Sequence, residues 1–393
     1  MAPRPVAPLE AGGILERLVA FDTTSSRSNL ELIRWVADYL ADHGIASMLS
    51  HDPTGAKANL YATIGPADRG GVMLSGHTDV VPVAGQAWNT EPFALSERSG
   101  RLYGRGAADM KGFIALVLAL VPKAATRALA VPLHLALSYD EETGCFGAPV
   151  LIRALPEGAA RPRLAIVGEP TSMQIANAQK GCHFYRTRIL GLEAHSSLPD
   201  RGVNAIGAAA EIITRIDRLA AAARQRACPA SGFHPPYTTC NIGRIAGGTA
   251  INIIARECEF EWDLRPLPGE DATALKGEID AFIADDLLPR MRDIFPTAAV
   301  ETETIVAVPA LVPDPSSPAE ALARRLTGAN TTTTVSFASE AGLFQEAGIP
   351  AVVCGPGAID VAHQPNEFIT RDQLGEGAAF LDRLLAWACQ PEG

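Results

Sequence analysis

Apolar residues arrive along this chain in two rhythms. Short continuous runs bounded by glycine and proline occupy residues 72–74, 133–137, 164–167 and 351–354. That is the pattern of strands buried on both faces. Residues 110–120, between the first two runs, read as a crossover helix. Strands alternating with helices predict an α/β fold, with a mixed, mostly parallel sheet sandwiched by helices. Near the start, Ser28-Asn29-Leu30-Glu31 has capping-box spacing, and Leu32, Ile33, Val36, Ala37 and Leu40 follow at helical intervals until Gly44.

The middle third keeps a different rhythm. Residues 184–189 and 240–245 read as strands and 205–219 as an amphipathic helix, while Cys258, Phe260, Trp262 and Leu264 alternate strictly with polar residues. Alternation marks a half-exposed antiparallel sheet. A helix-rich stretch follows over 272–295. The chain therefore divides into an α/β domain, residues 1–179 and 301–393, interrupted by an inserted α+β domain at 180–300. No internal repeat or low-complexity tract breaks this plan.

Composition narrows the class. A chain of 393 residues with 47% hydrophobic and 20% charged residues is globular and long enough for two domains. The net charge of −11, without any basic run, argues against a nucleic-acid partner. Seven cysteines without a CxxC pair suggest free thiols in a reducing cytosol. The opening MAPRPVAPLE lacks the apolar core of a secretory leader. The longest apolar stretch, 113–121, is too short to span a bilayer. A cytoplasmic protein with no membrane contact is expected.

Each strand-like run, and the turn before the crossover helix, is tied to a short polar cluster: Gly76-His77-Thr78-Asp79, Gly104 to Gly112 around Asp109, Asp140-Glu141-Glu142-Thr143-Gly144, Gly168-Glu169-Pro170-Thr171 and Ala362-His363-Gln364-Pro365. Taken singly, each is plainer. A His-x-Asp is usually a surface or capping pair, Asp-Glu-Glu a solvated turn, and Asp109 a helix-start acid favoured by the macrodipole. His43, His51 and His234 fall outside the clusters, and His134 alternates into an apolar strand as a core residue. The shared position at strand ends changes the reading, because the carboxyl ends of strands in open α/β sheets form one ligand crevice. His77, Asp109, Glu141, Glu142, Glu169 and His363 would then converge. So many carboxylates repel unless cations intervene. Two histidines with several carboxylates suit zinc or a similar divalent ion. One carboxylate could bridge two ions and a surplus one could act as a base.

These motifs resemble a known family, the co-catalytic zinc aminoacylases, deacetylases, carboxypeptidases and desuccinylases, over essentially the whole chain. The resemblance implies two divalent metal ions per subunit, most simply zinc, with cobalt or manganese as substitutes. It implies His77 and Glu169 as ligands of one ion, Glu142 and His363 of the other, and Asp109 as the bridging carboxylate. Glu141 would be the general base, with Asp79 orienting the His77 imidazole. It further implies that the inserted domain is a lid and dimerisation surface, making a homodimer. Within the family, NAQKGCHFYR, GLEAHSSLPDRGVNAI, GRIAGGTAINIIA, DLRPLP, SFASEAGLFQEAGIPAVVCGPG and HQPNEF are most similar to the acetylornithine deacetylase subfamily. Ala358, Val361 and Asn366 stand where that subfamily often has Ser, Gln and Asp.

By that resemblance His195, Asn252 and Arg265 contact substrate, His195 from the partner subunit and Arg265 at a carboxylate. Glu340 is expected to meet the δ-ammonium of an ornithine-like substrate. The expected partner is thus a small N-acyl amino acid, and the expected reaction its hydrolysis in arginine biosynthesis. A desuccinylase or dipeptidase on the same scaffold is the alternative, and a non-catalytic binding protein a remoter one. The chain has no G-x-S-x-G, which disfavours a serine hydrolase.

Overall fold

In the computed structural model, which describes residues 10–390, the four apolar runs become the neighbouring strands Leu133–Ser138, Val72–His77, Leu164–Pro170 and Ala351–Gly355. Most of the opening MAPRPVAPLE stretch lies outside the described residues. All three pairings among these strands are parallel, as the fold expected from the sequence requires. Two antiparallel strands, Ala58–Ile64 and Ser47–His51, extend one side, and the short Ala176–Gln179 and Thr333–Val335 extend the other. The chain separates into two compact units. The first holds the described residues up to Ala178, Pro313–Thr333 and those from Ser339 onward.

Period-two alternation divides the sheet's side chains between two faces. Leu60, Leu74, Leu135, Ile166 and Val352 join a core with the helices Ala11–Val19, Leu30–Asp42, Gly112–Ala125, Pro318–Thr327 and Arg371–Ala388. The crossover helix Gly112–Ala125 is apolar nearly all round and correspondingly buried. Its Phe113 lies so close to the Leu164–Pro170 strand that a Cβ at Gly168 would sit 2.1 Å from the Phe113 ring. Only glycine admits that approach, which leaves Glu169 at the end of the sheet. The opposite alternation carries Met73, Ser75 and His77. His134 shares its buried polar setting with Tyr61, 2.8 Å away, and accepts the Gly71 N–H at Nε2. Burial depresses its pKa to about 4, so it is a neutral core residue.

The second unit comprises Gln179–Val312 and Thr334–Ala338. Its four antiparallel strands run in the order Thr239–Gly247, Glu257–Arg265, Cys182–Leu190, Ala299–Val308. Cys258, Phe260, Trp262 and Leu264 are buried with Ile212 and Ile216 of the long helix Ala205–Gln225, while the other sheet face pairs Arg186 with Glu261 and Arg188 with Glu259.

Two sequence expectations change. The break expected at 300 falls inside the Ala299–Val308 strand, which pairs along Cys182–Leu190, so the second unit continues to Val312. The capping box at Ser28 does not form. The Ser28 hydroxyl donates to the Ala56 carbonyl, and the helix begins at Leu30 after Asn29, whose amide is bonded to Ala58 and Thr78. No helix among the described residues is long and apolar enough to cross a membrane.

Candidate metal centre

Every residue of the expected centre lies in the first unit. His77 is the last residue of its strand, and Glu169 stands one residue before the end of the neighbouring one. Glu141 and Glu142 occupy the turn after Leu133–Ser138, entered through Asp140 at φ 56° and left through Cys145 at φ 57°. Asp109 belongs to the turn that opens the crossover helix, where Gly106 takes φ 80°. His363, at φ 62°, precedes the short strand Phe368–Thr370, which pairs with Arg101–Tyr103 and so ties the His363 loop to the Asp109 loop.

These elements bring the side chains together. Asp109 offers one oxygen to each histidine: Oδ1 lies 3.0 Å from His77 Nε2 and Oδ2 3.3 Å from His363 Nε2. His363 Nε2 is also 2.8 Å from Glu142, and His77 Nε2 is 3.8 Å from Glu169. Two overlapping groups have ligand atoms within 4.8 Å of one another: His77, Glu141 and Glu169, and His77, Asp109 and Glu142. Both adjacent glutamates come within that range of His77, but they differ in their other neighbours. Glu141 turns toward His77 and Glu169 and accepts the Cys145 thiol at 3.4 Å, while Glu142 turns toward His363.

The electrostatics of this cluster call for positive charge. His77 donates from Nδ1 to the Asp79 carbonyl at 2.9 Å. In the neutral ring Nε2 then carries a lone pair aimed at two carboxylates, an arrangement that only a proton or a cation makes attractive. Burial would lower the His77 pKa, but the Asp109 hydrogen bond and the charges of Glu169 and Glu141 outweigh it and hold the ring well above its ordinary value. His363 is pushed up to about 10 by hydrogen bonds to Asp109 and Glu142. Burial raises Glu141 and Glu169 well above the usual carboxylate range, with further repulsion from Asp109. Burial and Asp109 likewise bring Glu142 to about 7. Glu169 Oε1 is buried without a hydrogen-bond partner. An orphaned acceptor among imidazoles and carboxylates fits divalent cations of the zinc type.

Two of the sequence expectations come out differently in space. Asp79 holds His77 through its main-chain carbonyl. Its carboxylate lies 3.7 Å from Nδ1 and instead accepts the backbone N–H groups of Glu141 at 3.1 Å and Glu142 at 3.3 Å and the Ser25 hydroxyl at 2.7 Å. The residue thus fixes the glutamate turn. Glu340 is 1% exposed, with Oε2 accepting the Ser75 hydroxyl at 3.1 Å and burial raising its pKa. A carboxylate sealed beneath the strand that ends in His77 is not one a substrate ammonium meets. His195, Asn252 and Arg265 lie in the second unit. His195 and Asn252 are exposed, His195 Nδ1 accepting from Ser197, and the Arg265 guanidinium lies 5.7 Å over Phe184.

Sequence reading passed over Ser25, Gln86, Arg105 and Glu367, which support the centre from behind. Arg105 and Glu367 lay inside stretches already singled out, and their near-complete burial is what marks them. A separate cavity of 540 Å³ in the same unit, lined by residues including Gln174, Thr332, Glu376 and Arg383, shares no residue with the cluster.

The profile of peptidase family M20/M25/M40 matches residues 73–387, a span that begins in the His77 strand and runs past His363. The chain belongs to that family. M20 proteins of known structure share the whole fold. An M20 metallo-carboxypeptidase from Sulfolobus solfataricus superposes with a TM-score of 0.74 at 18% identity, covering 97% of this chain and 99% of that one. A tripeptidase from Staphylococcus aureus gives 0.71 at 22%, covering 98% and 99%. A Bacillus subtilis protein described as a dinuclear metal-binding peptidase of the M20 family gives 0.65 at 17%, covering 96% and 97%. M20 membership makes this chain a metal-dependent hydrolase of amide or peptide bonds.

Proposed function

We propose that this M20 enzyme removes the acyl group of N2-acetyl-L-ornithine, giving L-ornithine and acetate, a step of arginine biosynthesis. The observation that carries the hydrolytic part is Asp109, a buried carboxylate with one oxygen toward each of two histidines. His77 and Glu169 would hold one divalent ion, Glu142 and His363 the other, and Asp109 would bridge them. Zinc suits these donors, with cobalt or manganese as substitutes. Ions bound there lower the proton affinity of water and polarise a carbonyl. Glu141, adjacent but turned toward His77 and Glu169, takes the proton from the attacking water and delivers it to the leaving amine.

The choice of substrate rests on the stretches similar to acetylornithine deacetylases, NAQKGCHFYR through HQPNEF. Arg265 would pair with the α-carboxylate and Asn252 and His195 would contact the acyl group. None of the seven cysteines is in a disulfide, which agrees with a cytoplasmic setting. The structural relatives named as peptidases support a second reading, cleavage of a dipeptide. A panel of N-acetylornithine, N-acetylmethionine, N-succinyl-diaminopimelate and simple dipeptides, assayed with metal analysis, separates the two. The proposal expects acetylornithine to have the highest kcat/KM; a dipeptide leading by tenfold or more would replace it.

The inserted unit is further proposed to form a homodimer in which His195 completes the partner's site. Mixing inactive His195→Ala and Glu141→Gln chains should restore part of the activity as heterodimers assemble. No recovery, with subunit exchange shown independently, would exclude a role across the dimer.

A further inference from the structure

Each half of the centre is fastened from behind by a buried carboxylate that is not itself among the ligands. Asp79 fastens the Glu141–Glu142 turn. Glu367, 1% exposed, fastens the other half. Its Oε1 accepts the backbone N–H groups of Ala108 at 2.9 Å and Asp109 at 3.0 Å, and its Oε2 accepts the Gly106 N–H at 3.0 Å and Arg105 Nη1 at 2.7 Å. Four donors match the four acceptor sites of an ionised carboxylate, which leaves Glu367 no capacity for metal or substrate.

The same network reaches His363. Gln86 donates from its amide to the His363 carbonyl at 2.8 Å and accepts from Arg105 and Trp88 at Oε1. Arg105 also reaches the Gln364 carbonyl at 3.4 Å, and the Glu367 carbonyl accepts the Gly104 N–H at 3.0 Å. On the far side Asn366, at φ 62°, accepts the Asn89 N–H at 2.7 Å. His363 itself has a left-handed backbone that a residue with a Cβ keeps only when its surroundings hold it. The backbone presenting Asp109 and the backbone presenting His363 thus meet at one carboxylate.

We propose that Glu367, working with Arg105 and Gln86, is the positioning residue that sets the spacing of Asp109 and His363, and so controls affinity at the metal position formed by Asp109, Glu142 and His363. This rests on the two-metal reading above. The substitution Glu367→Gln is isosteric but not equivalent. Its amide NH2 would face two of the four donors, so two hydrogen bonds become repulsive contacts.

The test is a titration of metal-free protein with Zn²⁺ against a chromophoric chelator, repeated with Co²⁺ to read its d–d absorption. Wild type should take up two equivalents. Glu367→Gln should bind the first with affinity within about threefold of wild type and the second about 10–100-fold more weakly, the usual range for loss of a group that orients a ligand. The Co²⁺ band of the second equivalent should change while that of the first does not. At limiting zinc, kcat should fall with KM unchanged within twofold, and added zinc should restore it. Arg105→Lys, which keeps the charge but loses the fork, should weaken the same equivalent less, and it serves if Glu367→Gln does not fold. Two equivalents of wild-type affinity in both variants, or equal weakening of both equivalents, would overturn the proposal. Asp109→Asn should weaken both equivalents. If it does and the Glu367 and Arg105 variants bind normally, the metal centre stands and the inference about Glu367 falls. A wild-type protein that takes up no metal would remove both.

Discussion

Glu141 and Glu142 are chemically identical neighbours whose surroundings give them different work. Glu141 faces His77, Glu169 and the Cys145 thiol, and Glu142 faces His363 at 2.8 Å. Glu141→Gln should therefore retain both metal ions and lose on the order of 10²–10⁴ in kcat, as for removal of a general base. Glu142→Gln should lower metal content first, with activity partly restored by excess zinc. Metal analysis alongside kcat checks this, and a swap of the two phenotypes would reverse the roles. At this scale the sequence was informative about ligand-type residues because each stands at a strand end or turn, a position that apolar patterning locates. It was uninformative about Glu340, Glu367 and Arg105. A charged residue in a loop or beside a helix start reads the same whether it faces solvent, a substrate or buried partners, and only tertiary packing decides. Asp79 shows a subtler limit: its importance was legible, but its carboxylate holds the neighbouring turn rather than the imidazole.

Elements set how exactly those residues are delivered. The Leu164–Pro170 strand carries Glu169, and the crossover helix packs onto it through Phe113 at Gly168. Gly168→Ala would place a Cβ 2.1 Å from the Phe113 ring. Overpacking of this kind costs about 1–3 kcal/mol, so the urea midpoint should fall, and kcat with it as Glu169 shifts. An unchanged midpoint would mean that Phe113 moves aside without cost. The central strands were legible because a strand covered by helices on both faces must be apolar at every position, and a short unbroken run is the direct trace of that burial. The Ala299–Val308 strand was not, because AVETETIVAV carries two exposed glutamates in its first half and only residues 305–308 form an apolar run. That one omission moved the expected break between the units from Val312 back to 300. Ser28 likewise satisfied a local spacing rule, but the Ala56 carbonyl captured its hydroxyl.

For the whole molecule, the crowded carboxylates make metal and stability interdependent. Glu141 and Glu169 are raised well above, and Glu142 to about 7 from, an ordinary value of 4.5. A carboxyl raised on folding stabilises fully below its unfolded pKa, and that contribution is lost as pH rises through the folded one. His363, raised to about 10 from 6.5, has the same sign over a higher window, and Asp109, held low, has already made its opposite contribution by about pH 4. Metal-free protein should therefore lose thermal stability between about pH 5 and 8. Zinc-saturated protein should not, so the gap between the two melting curves should widen with pH in scanning fluorimetry. Parallel curves would mean that these carboxylates do not carry the cost. The insertion also has a consequence for how the enzyme comes into being. His77, Asp109, Glu141, Glu142 and Glu169 precede the second unit and His363 follows it, while the Ala351–Gly355 strand must lie against one made almost 190 residues earlier. On a ribosome, nearly all of the inserted unit emerges as one continuous piece and can fold as it appears. The ligand set is complete only after the inserted unit has been made and the chain has reached His363. The nascent first unit waits as an unfinished sheet while the insertion is made, and filling of both metal positions has to follow the synthesis of His363.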